Sequence, residues 1–518
     1  MANSPLLPPP VRPASEHSPA PTVVAEPFRL SRRARARLPF ARETSRGLVI
    51  ATVLLATLIG AAIRLTLTRG LSLDEIRNLD AAGLSVSFTS LIHHLAHGGV
   101  TPPLAPILLW LSVRLLGTGV LAVRIVSIIA GVALVPVTGW FAGELYGRRT
   151  ALITVLVSAC APVLVWYSQE ASPYILAALF STLALIGALR AARTGRPIDW
   201  ALHTVAATLA LWSDWTALPV LLVSELILLS GARERHAARA ELIRYRRAWG
   251  LASAALLWQL IPLGVLFATQ LQYSGGLAGV FGVSASGVSF YTVASNASWL
   301  LFGFHPAVVT STLSAVWPLA MLASLAALGR GIAPRSWLAL GGLLAAAVAL
   351  LVLGLLVPGA FDVRYIVVAA PVLIVLVARL TVAWPKSARG RALAGAVLVL
   401  VLAGALVDQQ IDPNNPRRDA YGPALAVVRA DAVRRATVLY EPHAFNVVMA
   451  RFAPGLRALP LSRRLPAPRT TPAIFVVTSF QNDPAALALR NREIGALKAT
   501  RHLVRHWTFT GVQVWWFR

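Results

Sequence analysis

Residues 47–78 read GLVIATVLLATLIGAAIRLTLTRGLSLDEIRN. An apolar run over about 48–68 gives way within a few residues to the adjacent acids Asp74 and Glu75. About 20 consecutive apolar residues are what an α-helix needs to cross the hydrocarbon core of a bilayer. The pattern recurs along the chain. Further spans are expected near 120–143, 150–167, 173–191, 199–213, 215–230, 249–270, 306–328, 336–357, 364–383 and 391–408. Composition agrees: 57% of the 518 residues are hydrophobic and 13% are charged, where a soluble domain carries about 25% charged residues. A larger soluble core does not absorb that deficit, because surface must still be covered. The expected fold class is a polytopic α-helical membrane protein with about 11 transmembrane helices.

The segment Pro102–Leu116 is too short to cross comfortably and carries paired prolines, so it is expected to lie in the interface. Charge tests that choice. With the N-terminus inside, the inner short loops hold sixteen Arg and Lys residues, from Arg148 to Arg391. The outer short loops hold Arg69, Arg77 and Arg364, three in all, or five with Arg114 and Arg124. Were 102–116 to span, as in a twelve-span alternative, every later loop would change sides and the bias would reverse. The positive-inside rule therefore selects eleven spans with the C-terminus outside. The net charge of +26 belongs to these orientation signals; no nucleic-acid motif accompanies it, and no nucleic acid is expected.

Three regions follow: a Pro-rich, basic, disordered cytoplasmic tail over 1–46, a membrane domain over 47–408, and a small extracytoplasmic α/β domain over 409–518. In the last, Ala436–Tyr440, Ala473–Thr478 and Gly511–Phe517 read as strands, and Tyr421–Arg435 and Asn482–Ala499 as helices. Cys160, the single cysteine, lies inside an apolar run, which excludes a disulfide framework. The Ala/Arg/Leu/Val-rich, Lys-poor composition is associated with GC-rich bacterial genomes.

Acidic groups gather on the expected outer face: Asp74-Glu75, Glu170, Asp214 and Asp362. A carboxylate at the bilayer rim is cheaply solvated, so each alone has a plain structural explanation. Asp74-Glu75 says more. Neighbouring carboxylates repel, and such a pair suits a general base near an acceptor hydroxyl or the hard-oxygen ligands of a divalent cation. Arg364 opens a span in a nearly charge-free stretch; a guanidinium there binds a lipid phosphate or snorkels. The outer loop 271–305 has no charged residue and either covers an apolar chain or lies on the bilayer. His93, His94 and His97 cluster, with His93 and His97 at helical i, i+4 spacing. Together with Glu75, His94 and His97 are the weak metal candidates.

The order of these pieces resembles the protein O-mannosyltransferase-like family 39 glycosyltransferases, over roughly residues 48–435. Asp74-Glu75 followed by Thr101-Pro102-Pro103-Leu104 is similar to that family's DE…HPPL pattern. Val123-Arg124-Ile125-Val126-Ser127 is similar to LRLPS, and Gly147-Arg148-Arg149 to GRR. Tyr167-Ser168-Gln169-Glu170-Ala171-Ser172-Pro173-Tyr174 is similar to YSQEARPY, and Arg364-Tyr365 with Pro371 to RY…P. The resemblance implies the glycosyltransferase C architecture and an inverting transfer of a sugar, commonly mannose, from a polyprenyl-phosphate donor. The acceptor would be a cell-envelope glycan, glycolipid or protein outside a bacterial cell membrane. It implies Asp74 as catalytic base, with Glu75 and Glu170 positioning acceptor or a divalent metal ion. Arg364, with Tyr365 beside it, and Arg124 would bind the carrier phosphate; Gln169, Tyr174 and Asp214 would line the acceptor or sugar pocket. Two departures stand out. His97-Gly98-Gly99-Val100 precede the Pro pair where the family often has Asp, and Ser172 replaces the Arg of QEARPY. One acid and one base are thereby lost, which leaves an inactive glycan-binding paralogue as an alternative. A transporter is the other, although no internal repeat is evident and the charges sit at the rims.

Overall fold

The computed structural model describes residues 46–234, 239–276, 289–305, 309–315, 362–412, 415, 420–431, 436–441, 445–461, 473–479 and 484–518, with isolated residues of 341–356. The expected tail over 1–46, apart from Arg46, and most of the expected spans 306–328 and 336–357 lie outside these.

Helix α1 (Arg46–Leu65) is the first span. Three short helices follow: α2 (Leu73–Ala82), α3 (Phe88–His97) and α4 (Leu104–Leu116). Then come α5 (Val120–Tyr146), the pair α6 (Arg148–Cys160) and α7 (Pro162–Ser168), α8 (Tyr174–Thr194), α9 (Pro197–Ser213), α10 (Leu218–Glu234) and α11 (Arg239–Ser274). After α12 (Phe290–Phe302), a 3₁₀ turn over Val363–Ala369 leads into α13 (Ala370–Ala383), and α14 (Ala388–Ile411) completes the helical part. Among the described residues seven helices are long and apolar enough to cross a membrane, or eight if α6 and α7, bent by 53°, form one broken span. Helix α9 misses that length by one residue, with 17. The chain is a multi-pass membrane protein.

Ionic contacts sort the helix ends. At one end Glu144 of α5 meets Arg190 and Arg193 of α8, and Arg190 also meets Asp199 of α9 (2.6 Å). At the other end Arg124, near the start of α5, donates to the carbonyls of Arg69 and Gly70 just beyond α1 (3.1 and 2.7 Å). Helix α5 therefore begins at the end where α1 stops. The segment between them, α4 included, returns without crossing, as its 13 residues dictate.

The break between α6 and α7 has a local cause. Pro162 has no N–H, so the carbonyl of Ser158 four residues earlier loses its helical donor. Arg64, fully buried in α1, supplies the replacement: its guanidinium donates to the carbonyls of Ser158 (3.2 Å) and Ala159 (3.1 Å) and to the Ser168 hydroxyl (3.0 Å). Gly131 of α5 is what admits this cluster, since a Cβ there would sit 1.8 Å from Ser168 Oγ.

The C-terminal part adds α15 (Tyr421–Asp431), β1 (Thr437–Glu441), α16 (Asn446–Phe452), β2 (Arg457–Pro460), β3 (Ile474–Ser479), α17 (Pro484–Thr500), β4 (Leu503–Phe509) and β5 (Val512–Phe517). The strands form one sheet in the order β2-β1-β3-β5-β4. β1 runs parallel to β2 and β3, while β5 is antiparallel to β3 and β4. The sequence pattern finds β1, β3 and β5, whose residues are all buried or half-buried; it misses the edge strands β2 and β4, which carry exposed residues. One apolar cluster runs from Phe475, Val514 and Val448 of this part to Leu79, Leu91 and Leu109 of α2, α3 and α4. The sheet thus sits on the short helices.

Candidate active site

Helix α2 sets the site's first wall. Ser72 caps it by accepting the N–H of Glu75, while Glu75 returns a bond to the N–H of Ser72, a capping box. This fixes the helix so that Glu75, Ile76, Leu79 and Ala82 face inward. Asp74, Arg77, Asn78 and Ala81, at i, i+3, i+4 and i+7, line a cavity of about 420 Å³. The opposite walls come from the loop before α8 (Glu170, Ser172, Tyr174), from Asp214 and Thr216 between α9 and α10, and from Arg364 and Tyr365. Four segments far apart in sequence, each singled out for its charges, border one space. Val447 of α16 completes the rim.

The charges around the cavity are arranged specifically. Asp74 Oδ2 lies 3.2 Å from Arg364 Nη1, and Arg364 Nε lies 3.4 Å from Asp362 Oδ1. Asp362 also caps the 3₁₀ turn by accepting the N–H of Arg364 (3.0 Å). Glu170 accepts the Trp166 indole N–H (3.0 Å) and has Arg69 4.0 Å away; that guanidinium lies 3.6 Å over the Trp166 ring. Burial pushes the Glu170 carboxyl above the ordinary carboxylate range; Arg69 opposes the rise, and the charges of Glu75 and Asp74 add to it. Asp214 accepts both the N–H and the hydroxyl of Thr216 on Oδ1 (2.9 and 2.5 Å). Its carboxyl is also raised by burial, against those two hydrogen bonds. Tyr174 packs edge-on between Tyr167 and Tyr365. The Ser172 hydroxyl, where the motif expects Arg, is buried without a hydrogen-bond partner among the described residues.

Several expected site residues stand elsewhere. Glu75, expected to act in catalysis or hold metal, is 0% exposed and does not line the cavity. It takes two bonds from Arg124 (Nε 2.6 Å, Nη2 2.7 Å) and one from the N–H of Ala171 (2.9 Å). Burial alone would raise its pKa, but the bonds and charge of Arg124, with Arg69, hold it below the usual value. Arg124, expected to bind the carrier phosphate, is the other half of that pair, also 0% exposed, and its remaining donors go to backbone. Gln169, expected in the pocket, is buried behind it. Its amide caps the end of α1 through the carbonyls of Ile63 and Thr66 (3.1 and 3.0 Å). His94 lines the cavity; His97 bonds the His93 carbonyl (2.9 Å) and stacks on the His93 ring instead. Among the described residues no three His, Cys, Asp or Glu side chains are grouped to hold a metal ion. The candidates Glu75, His94 and His97 do not fit one. The signals that identify Glu75 as structural were present in Ser72-x-x-Glu75, which is a capping-box spacing. Arg69, Asp362 and Val447 had none beyond charge or hydropathy.

The fold and this cavity define a multi-spanning helical membrane protein with a charge-lined cavity at one end of its helices. Residues 100–258 match the family model described as dolichyl-phosphate-mannose-protein mannosyltransferase, so the resemblance read from the motifs holds. That segment contains Thr101–Leu104, Gly147–Arg149 and Tyr167–Tyr174. The fold is that of ArnT from Cupriavidus metallidurans. Against its structure bound to undecaprenyl phosphate the TM-score is 0.54 at 14% identity, covering 91% of this chain and 98% of ArnT. Against ArnT in the apo state it is 0.51 at 13% identity with the same coverage. No curated protein sequence matches the chain.

Proposed function

We propose that this protein is an inverting glycosyltransferase that moves a sugar, mannose or a similar hexose, from a polyprenyl-phosphate carrier to an acceptor hydroxyl. The acceptor is a cell-envelope glycan, glycolipid or protein on the outer side of a bacterial cell membrane. The observation that carries this reading is the convergence of Asp74, Glu170, Asp214 and Arg364 on one cavity at a single end of the helices. The excess of Arg and Lys on the other short loops supports that end as the outer one, with the N-terminus inside.

In the transfer, Asp74 takes the acceptor hydroxyl's proton as its oxygen bonds to the sugar's anomeric carbon. The bond from that carbon to the phosphate oxygen breaks on the opposite face, which inverts the centre. The phosphate leaves with the bonding electrons, and the Arg364 guanidinium stabilises its charge by paired hydrogen bonds. Glu170 and Asp214, whose pKa values burial raises, offer carboxyls as hydrogen-bond partners for hydroxyl groups, and Tyr174 and Tyr365 pack against the sugar and its carrier. Asp74→Asn in purified protein is expected to lower transfer from a polyprenyl-phosphate sugar by at least 10²-fold, the range of a lost general base. Turnover at the wild-type rate would reject the assignment.

A further inference from the structure

Asp74 and Arg364, assigned opposite tasks above, hold each other in this structure. They stand 290 residues apart in sequence and meet at 3.2 Å. Both line the cavity, with 53% and 29% of their side-chain surface exposed. Among the described residues Arg364 is the sole partner of the Asp74 carboxylate. Arg364 is also held from behind. Its Nε faces Asp362, a residue fixed in the same turn by its capping bond. A guanidinium binds phosphate best through two parallel N–H bonds. With Nε turned to Asp362, the fork left for such an anion is the Nη1–Nη2 edge, and Nη1 is the atom that Asp74 occupies.

We propose that Arg364 has a second role: it masks Asp74 until the carrier phosphate displaces it. The phosphate takes Nη1 from Asp74, and the freed carboxylate oxygen becomes available to an acceptor hydroxyl. In the donor-free pocket Arg364 holds Asp74 Oδ2, and donor binding frees that oxygen for base action. This rests on the roles proposed above for Asp74 and Arg364.

The test is equilibrium binding of undecaprenyl phosphate, without sugar, to the full chain in lipid nanodiscs. Removing a competing half-exposed carboxylate is expected to tighten binding about two- to fivefold in Asp74→Asn, and likewise in Asp74→Ala. Asp80→Asn removes one negative charge elsewhere on the cavity wall and is expected to leave affinity unchanged. Arg364→Ala is expected to weaken it at least tenfold. If Arg364→Ala weakens binding while the Asp74 variants do not tighten it, the exchange is refuted and Arg364 keeps its phosphate. Equal tightening by Asp80→Asn would also refute it, reducing the effect to general field. Indifference of all four variants would remove Arg364 from the phosphate site and take both readings down.

Discussion

Replacing Glu75 with Gln preserves side-chain shape and deletes one charge, which separates architecture from chemistry at the most acidic point of the motif. The carboxylate accepts four hydrogen bonds: two from Arg124, one from the Ala171 N–H and one from the Ser72 N–H. Both members of the ion pair are 0% exposed. Gln leaves the Arg124 guanidinium charged and desolvated without a counter-ion, and its NH₂ must face a donor that the carboxylate accepted from. Breaking a buried pair from one side costs about 3–5 kcal/mol. The bonds tie α2 to α5 and to the loop before α8, so the loss also loosens two walls of the cavity. The assay is thermal unfolding in detergent followed by size-exclusion monodispersity, with Glu75→Gln, Arg124→Met and the double variant. The single variants are expected to unfold several degrees early. The double variant is expected to recover part of the loss, because no unpaired charge remains. A Glu75→Gln protein with wild-type stability and no transferase activity would refute the reasoning and return Glu75 to the chemistry.

The other expectations concern pH, the bent span and the rim. Because the folded pKa of Glu170 is raised, the native state holds a proton that the unfolded chain, with a Glu pKa of about 4.3, has released. Stability contributed there falls as pH rises from the unfolded value through the folded one. Glu75 runs the other way, its contribution being complete above the unfolded pKa and lost as pH falls through the lowered folded value. Glu170→Gln should flatten the first slope in a melting-temperature series against pH, and an unchanged slope would refute the assignment. Arg64→Met should cost about 3 kcal/mol or more, because carbonyls freed by the bend lose their donors inside a span. The cost should shrink in a Pro162→Ala background, which restores an N–H for Ser158; equal costs in both backgrounds would break the link. Val447→Trp should raise the KM for acceptor and leave undecaprenyl-phosphate affinity unchanged, while a shift in the latter would place α16 on the carrier side.

Hydropathy runs and Arg placement were sufficient for the membrane class, for most spans and for the return of α4 without crossing, since each depends on one segment's length or charge against a uniform solvent. The acidic and basic motifs likewise named four of the groups that border the cavity, Asp74, Glu170, Asp214 and Arg364. Which charges face the cavity was settled by packing. Asp74 and Glu75 are neighbours with opposite fates: one helical step of about 100° turns Asp74 to the cavity and Glu75 into the core. Arg124 and Gln169, adjacent in motif to plausible ligand groups, are spent on a buried carboxylate and on backbone carbonyls that only the folded chain brings within reach. Arg64 looks like an interruption of an apolar run until the break at Pro162 exposes carbonyls across from it. Desolvation and hydrogen bonding depend on neighbours distant in the chain, so the sequence by itself determined where charge could be tolerated. Only the tertiary structure decided which charges remain free to act.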